Sequence, residues 1–177
     1  MKLIDRLFRR DAPPVTPPLE AADRVVAWAT TAEAIAVASV HALWLPPKKG
    51  VTDQEWHRLG WHEIHKAVWR EGSLVVTPGV EVEPGVVADG AVRRLRLPDP
   101  RDLPTQVRER VERSVAHTEH HALSTGGGVR VVARRVPGQN GLTWQLRFDD
   151  PADRNSDAAR AEAEGLLAAA RATHEPS

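Results

Sequence analysis

Residues 24–46, RVVAWATTAEAIAVASVHALWLP, decide the fold class of this 177-residue chain. They divide into three apolar or alternating runs of strand length, at residues 24–30, 33–39 and 41–46, with very short connections between them. Valine, isoleucine and tryptophan are enriched in these runs, and such residues favour strands. The stretch therefore predicts an antiparallel β-meander.

Four more strands are predicted beyond this meander. They are EWHRLGW (55–61), EIHKAVWR (63–70), SLVVTPG (73–79) and AVRRLRLP (91–98). Gly60 and the EGS sequence at 71–73 supply turns, and residues 80–90 are interpreted as a loose segment because glycine and proline interrupt them. Seven short strands are thus expected before residue 100.

The hydrophobic period changes after the seventh strand. In residues 102–123, DLPTQVRERVERSVAHTEHHAL, the apolar positions Leu103, Val107, Val111 and Val115 recur every four residues. This spacing predicts an amphipathic helix that begins near Asp102 and ends at the STGGG sequence.

A hairpin and a second helix are predicted for the rest of the chain. The runs VRVVARRV (129–136) and LTWQLRF (142–148) are expected to be strands, and Asn140-Gly141 between them is a strong hairpin signal. Small and apolar residues recur on one stripe from 156 to 172, which indicates a C-terminal helix. The expected fold class is α+β.

Seven antiparallel strands followed by one amphipathic helix resemble the pleckstrin-homology-like (PH-like) fold. The sequence RLGWHEIHKAVW (58–69) is similar to bacterial PH-like and GRAM-like domains, in which an aromatic residue ends a strand before an acidic-Ile pair, here Trp61, Glu63 and Ile64. The resemblance implies an antiparallel β-barrel or sandwich closed by a helix at residues 21–123, with 1–20 as an N-terminal segment and linker. Residues 124–177 would extend it by a β-hairpin and a helix.

The same resemblance implies the binding of lipid head groups, peptides or proteins by an adaptor module, and no catalysis. Two departures narrow this expectation. The closing helix lacks the tryptophan of eukaryotic PH domains, and the connection TTAE (30–33) carries no positive charge where phosphoinositide-binding members have a basic cluster. A protein or peptide partner is therefore expected.

The N-terminal segment is a second candidate contact surface. MKLIDRLFRR places apolar side chains on one helical stripe beside basic residues, and the proline-rich DAPPVTPPLE follows as a stiff linker. So short a helix needs a surface on which to order: the body of the protein, a partner or a membrane. The residues predicted to make this partner or peripheral membrane contact are Leu3, Ile4, Leu7, Phe8, Arg9 and Arg10.

The composition excludes several classes of function. Lys+Arg and Asp+Glu both total 24, so no net charge draws the protein to nucleic acid. The chain has no cysteine and hence no disulfide, thiol nucleophile or thiolate metal site. It also shows no apolar run of membrane-spanning length and no secretory leader, so a cytoplasmic location is expected. No cofactor is expected either.

Two histidine clusters give the alternative function, a histidine-based metal-binding protein or metal-assisted hydrolase. His117, His120 and His121 in HTEHH are the predicted metal set, because 117 and 121 would lie one helical turn apart. The second set is His57, His62 and His65; the turn at Gly60 and strand parity would point these in different directions. The tryptophans of that stretch, Trp56, Trp61 and Trp69, are expected to be packing mass.

Two groups of arginines are predicted to be a solvated face. They are Arg93, Arg94 and Arg96 on the seventh strand, and Arg130, Arg134 and Arg135 on the hairpin. If the strands were adjacent they would form a basic stripe, but no aromatic residue alternates with the arginines as a stacking platform. STGGGV (124–129) precedes a strand instead of a helix, so it is not a phosphate-binding loop.

Overall fold

A computed structural model describes residues 12–32, 34–46 and 55–175 of the chain. The predicted N-terminal contact residues 3–10 lie outside this part of the chain. The strands are β1 (Val25–Thr30), β2 (Ile35–Ser39), β3 (Ala42–Leu45), β4 (His57–Gly60), β5 (Ile64–Arg70), β6 (Ser73–Glu83), β7 (Val86–Asp89), β8 (Arg93–Arg96), β9 (Val115–Ala122), β10 (Gly128–Arg134) and β11 (Thr143–Phe148). The helices are α1 (Leu103–Ser114), α2 (Pro151–Arg154) and α3 (Asp157–His174), and a 3-10 turn covers Trp61–Glu63.

The chain is α+β, as the sequence predicts, and it divides into two compact units. Among the described residues, the first unit contains those between 12 and 78 and those from 91 to 112, and the second contains 79–90 and 113–175. β6 contributes its first half to one unit and its second half to the other. The boundary predicted at residue 123/124 falls in the turn between the paired strands β9 and β10.

The first unit contains two antiparallel arrangements of strands. One is a four-stranded sheet in the order β1-β2-β3-β4. In the other, the first half of β6 pairs with β5 on one side and with β8 on the other side. Buried side chains of both, such as Leu43 and Ile64, form one core with Leu103, Val107 and Val111 of α1. The apolar stripe predicted for the first helix is therefore confirmed as its buried face for these three residues, whereas the fourth predicted member, Val115, begins β9.

A small second cluster lies on the other side of the four-stranded sheet. Ile35, Val37, Ala42 and Trp44 form it, and Trp56 and Trp28 pack at its margin. Ser39 is fully buried there and its Oγ accepts a hydrogen bond from the Trp44 indole N–H at 3.1 Å. The buried hydroxyl and indole of this cluster are thus hydrogen-bonded to each other.

The second unit is a mixed sheet with one helix packed against it. The second half of β6 pairs with β7, which lies parallel to β11, and the order continues through β10 to β9. Val129, Val131, Trp144 and Leu146 form its core with Ala159 and Ala163 of α3. Ser156 caps α3 by accepting a hydrogen bond from the N–H of Ala159, at the start predicted from the sequence.

Three elements differ from the sequence prediction. The first helix ends at Ser114 instead of residue 123, and the chain continues directly into β9, which pairs with β10. β6 does not stop at Gly79 but extends to Glu83, and the segment interpreted as loose supplies β7. β9 and the second half of β6 each pair with the next strand along the chain, and β7 also pairs with the distant β11; a local hydrophobic period reports none of these pairings.

The turns agree with the sequence more closely. Glu71 and Gly72, both at positive φ, form the tight connection between β5 and β6. The hairpin β10–β11 is present as predicted, although Gly141 alone of the pair Asn140-Gly141 has positive φ. Among the described residues, no helix has both the length and the apolar character needed to cross a bilayer.

Candidate binding surfaces

The histidines of the predicted metal set lie on a strand, so the helical geometry expected for them is wrong. Successive side chains of a strand point to opposite faces, which places His117 and His121 on one face of β9 and His120 on the other. His120 Nε2 lies 2.6 Å from Asp149 Oδ2 of β11's C-terminal extension. Within the described part of the chain, no three His, Asp or Glu side chains are placed to hold a metal ion.

His117 and His121 have a structural setting at the end of α3. Glu119 Oε2 lies 3.6 Å from the Nε2 atoms of both imidazoles, which is beyond hydrogen-bond length. The His117 ring packs on His174, with 4.2 Å between centroids, and on buried Trp144. These rings therefore connect β9 and β11 to the last turn of α3.

The second histidine set is distributed over three elements of the first unit. His57 is exposed on β4, His62 lies in the 3-10 turn and His65 is half-buried on β5. The turn predicted at Gly60 is confirmed: its N–H donates to the Glu63 carboxylate at 2.5 Å. This change of direction separates the three imidazoles, as strand parity predicts.

Trp61 lies in the 3-10 turn between β4 and β5 and belongs to the core of the first unit. Its side chain is buried, and its indole N–H donates to the carbonyl of Val40 at 3.0 Å. Arg110 of α1 donates to the same carbonyl at 3.3 Å, and its guanidinium lies 6.0 Å from the Trp61 ring centroid. Ile64, which begins β5, is buried in the same core as the apolar face of α1.

The expectation that Trp56, Trp61 and Trp69 are all packing mass is wrong for Trp69. It is 42% exposed near the C-terminal end of β5, opposite Leu74, which is buried. Trp56 is half-buried and Trp61 is fully buried. An exposed indole next to a buried core residue is a common anchor for a binding partner.

The β5 edge, defined here as the outer side of β5 with His65, Lys66, Trp69 and Arg70, is the candidate binding surface of the first unit. β5 pairs with β6 on one side, and within the described residues no strand pairs with its other side. β5 itself carries two cations and no acidic residue. Arg70 Nε lies 3.9 Å from Glu71 Oε1, but both side chains are about 70% exposed and the pair is screened by water.

The two arginine groups predicted from the sequence do not form one stripe. Arg93, Arg94 and Arg96 lie on β8, which pairs with β6 in the first unit, whereas Arg130 and Arg134 lie on β10 between β9 and β11. Arg134 is buried, contrary to the expectation of a solvated face.

A search for resemblance finds no matching protein-family model, no matching curated protein and no matching solved structure.

Proposed function

We propose that the first unit is a non-enzymatic, PH-like binding module that takes up an extended, acidic peptide segment of a protein partner. The element order supports the PH-like part of the proposal. Four antiparallel strands, β1–β4, are followed by the antiparallel strands β5, β6 and β8, and then by α1, whose apolar face joins their core. Eight strands precede α1; β7 belongs to the second unit, and the other seven with α1 resemble the element order expected of a PH-like domain.

The observation that carries the peptide proposal is the β5 edge. A strand with one unpaired side presents a row of backbone N–H and C=O groups, and an extended peptide can pair with them as an additional strand. β5 is seven residues long, enough for several such hydrogen bonds. Backbone pairing gives affinity for an extended chain without regard to its sequence.

Side chains at the β5 edge supply selectivity. The exposed Trp69 offers an apolar contact on the face of β5 that it shares with buried Leu74 of β6, and Lys66 and Arg70 are exposed cations on the opposite face of the strand. A peptide that combines an apolar side chain with Asp or Glu complements this pattern. Lysine on an edge strand also discourages self-association, so the test has to distinguish peptide binding from that protective role.

A display library of random twelve-residue peptides, selected against the full chain, tests the proposal. We expect selected peptides to be rich in acidic and apolar residues. Trp69→Ala and Lys66→Glu should each weaken their binding at least tenfold, because the first removes the apolar contact and the second repels an acidic peptide. Fluorescence anisotropy of labelled peptides measures the effect.

Two controls make the result specific. Arg94→Glu on β8 makes a similar charge change at an exposed position beyond β6, and should leave binding unchanged. Peptides with alternate backbone amides N-methylated should lose binding, because strand addition needs those N–H groups. Selected peptides that bind Trp69→Ala and Lys66→Glu as tightly as the wild type would refute the β5 edge as the site.

The other expectations from the sequence remain predictions. These are the metal-binding alternative at His117, His120 and His121, the membrane contact of the N-terminal segment, and the cytoplasmic location. The distribution of the three histidines over both faces of β9 does not support the first.

A further inference from the structure

The sheet of the second unit has two chemically different faces. The register between β10 and β11 runs without interruption from Val129 opposite Phe148 to Arg134 opposite Thr143, so alternate residues share a face. One face carries Val129, Val131 and Trp144 and packs against α3. The other carries three arginines, Arg130, Arg134 and Arg147, which we call the arginine face.

Like charges stand directly opposite each other on the arginine face. Arg130 and Arg147 are cross-strand partners, an arrangement that destabilises a sheet unless an anion compensates for it. Arg147 Nη2 has one carboxylate, Asp89 Oδ2, at 2.8 Å. Arg130 is exposed and forms no ion pair within the described part of the chain. The acidic side chain nearest in sequence to Arg147, Asp149, is engaged with His120.

Arg134 is the least expected member of the arginine face. The residue is 5% exposed, and its Nη1 donates to the Ser114 Oγ at 2.8 Å. Its Nε, although buried, makes no hydrogen bond to any described residue. Burial, together with the charge of Arg147, lowers the pKa of the Arg134 guanidinium. A buried cation with an unused donor and no carboxylate is costly, and a bound anion is one arrangement that would offset the cost.

We propose that the arginine face binds an oxyanion of the phosphate class, with Arg130 and Arg147 at its exposed side and the Arg134 guanidinium as the inner donor. Guanidinium groups match the oxygens of phosphate by two parallel hydrogen bonds and keep their charge in partly buried settings. Gln145, which lies opposite Val132 and next to the Arg130–Arg147 pair, adds a neutral donor on the same face. The ligand is free phosphate or the phosphomonoester of a small metabolite.

This site is separate from the β5 edge and from any site expected by resemblance. All of its residues belong to the second unit, and the connection at residues 30–33, where phosphoinositide-binding PH domains carry their basic cluster, lies in the first. Peptide binding and phosphate binding can therefore be tested separately on the same full-length chain.

Titration of the full chain with sodium phosphate at constant ionic strength, with sodium chloride as the reference, tests the proposal. We expect a saturable rise in the thermal midpoint with phosphate and heat of binding by calorimetry. Arg130→Gln and Arg147→Gln should each weaken the binding of phosphate at least tenfold. Arg171→Gln, an exposed arginine of α3, should not change it.

Phenyl phosphate distinguishes the sources of the anion. Tighter binding of phenyl phosphate than of phosphate assigns the site to a phosphomonoester, and equal or weaker binding assigns it to free phosphate.

Arg134→Met tests the inner donor. It should abolish the phosphate response while the protein keeps its strand signal in circular dichroism. Should this variant fail to fold, the Arg130→Gln/Arg147→Gln double variant decides the outcome, since both side chains are partly or fully exposed. Phosphate that stabilises the protein no more than chloride, or a double variant that binds phosphate like the wild type, overturns the proposal.

Discussion

The buried tryptophans of the two units differ in their hydrogen bonds. In the first unit the indole N–H groups of Trp44 and Trp61 donate to Ser39 Oγ and to the Val40 carbonyl. In the second unit the buried indole N–H of Trp144 makes no hydrogen bond to a described residue, and neither does Arg134 Nε. An unpaired polar atom in a protein interior lowers stability, so the buried indole of Trp144 carries a cost that the indoles of Trp44 and Trp61 do not.

The apolar cores of the two units should nevertheless contribute equally to the free energy of unfolding. Leu43 in the first unit and Leu146 in the second are both almost fully buried. Leu43→Ala and Leu146→Ala should each lower the free energy of unfolding by about 2–5 kcal/mol, because each leaves a cavity in a packed core. Urea denaturation measures this, with Leu43→Met as a control that costs less than about 1.5 kcal/mol. A loss below about 1 kcal/mol for Leu146→Ala would show that the second core is loosely packed.

A pair of tryptophan substitutions isolates the difference in hydrogen bonding. Trp61→Phe and Trp144→Phe remove similar volume from buried positions, but only the first breaks a hydrogen bond. Trp61→Phe should therefore lower the free energy of unfolding by about 0.5–1.5 kcal/mol more than Trp144→Phe. Urea denaturation of both variants gives this difference. Equal losses, or a larger loss for Trp144→Phe, would remove the contrast between the units.

The smallest expected effect concerns an exposed group in the second unit. The Ser124 Oγ–H and N–H donate to the Glu162 carboxylate, at 2.6 and 3.0 Å, and lower the pKa of Glu162. Because the folded pKa is below the unfolded one, the stabilising contribution is complete above the ordinary glutamate pKa, about 4.3, and is lost as pH falls through the folded value.

Ser124→Ala should raise the pKa of Glu162, since the stronger of the two causes is the side-chain hydrogen bond. Ser124→Thr, which keeps the hydroxyl, should leave it low. An NMR pH titration of the Glu162 carboxyl measures both. An unchanged pKa in Ser124→Ala would mean that the hydroxyl does not bind this carboxylate in solution.

Strong local patterns predicted much of the fold. The alternating runs between residues 24 and 46 are β1–β3, and the small-residue stripe of the last helix is the buried face of α3. β9 could not be found this way. Val115 continues the four-residue apolar period of α1, and both faces of the following HTEHH are polar, so only pairing with β10 reveals a strand. β7 was hidden for the same reason, between Gly85 and Gly90.

The candidate sites were less predictable than the fold. The sequence identified the stretch around Trp61 but placed Trp69 inside, because nothing local shows that the sheet ends beside it. Arg134 was expected on a solvated face because arginine is seldom buried. Alternation along VRVVARR puts residues 130, 132 and 134 on one face. This alternation alone places two of the three arginines, Arg130 and Arg134, on the same face.

The parallel pairing of β7 with β11 has a consequence for biosynthesis. Val86 meets Leu146, 60 residues further along the chain (146 − 86), and α1, β9 and β10 are all made in between. At about 5–20 residues per second, a ribosome needs about 3–12 seconds to supply that stretch. During this interval one side of β7 has no native strand to pair with, and the nascent chain is open to association with other unpaired edges. Translation speed between residues 86 and 146 therefore bears on how much protein reaches the folded state.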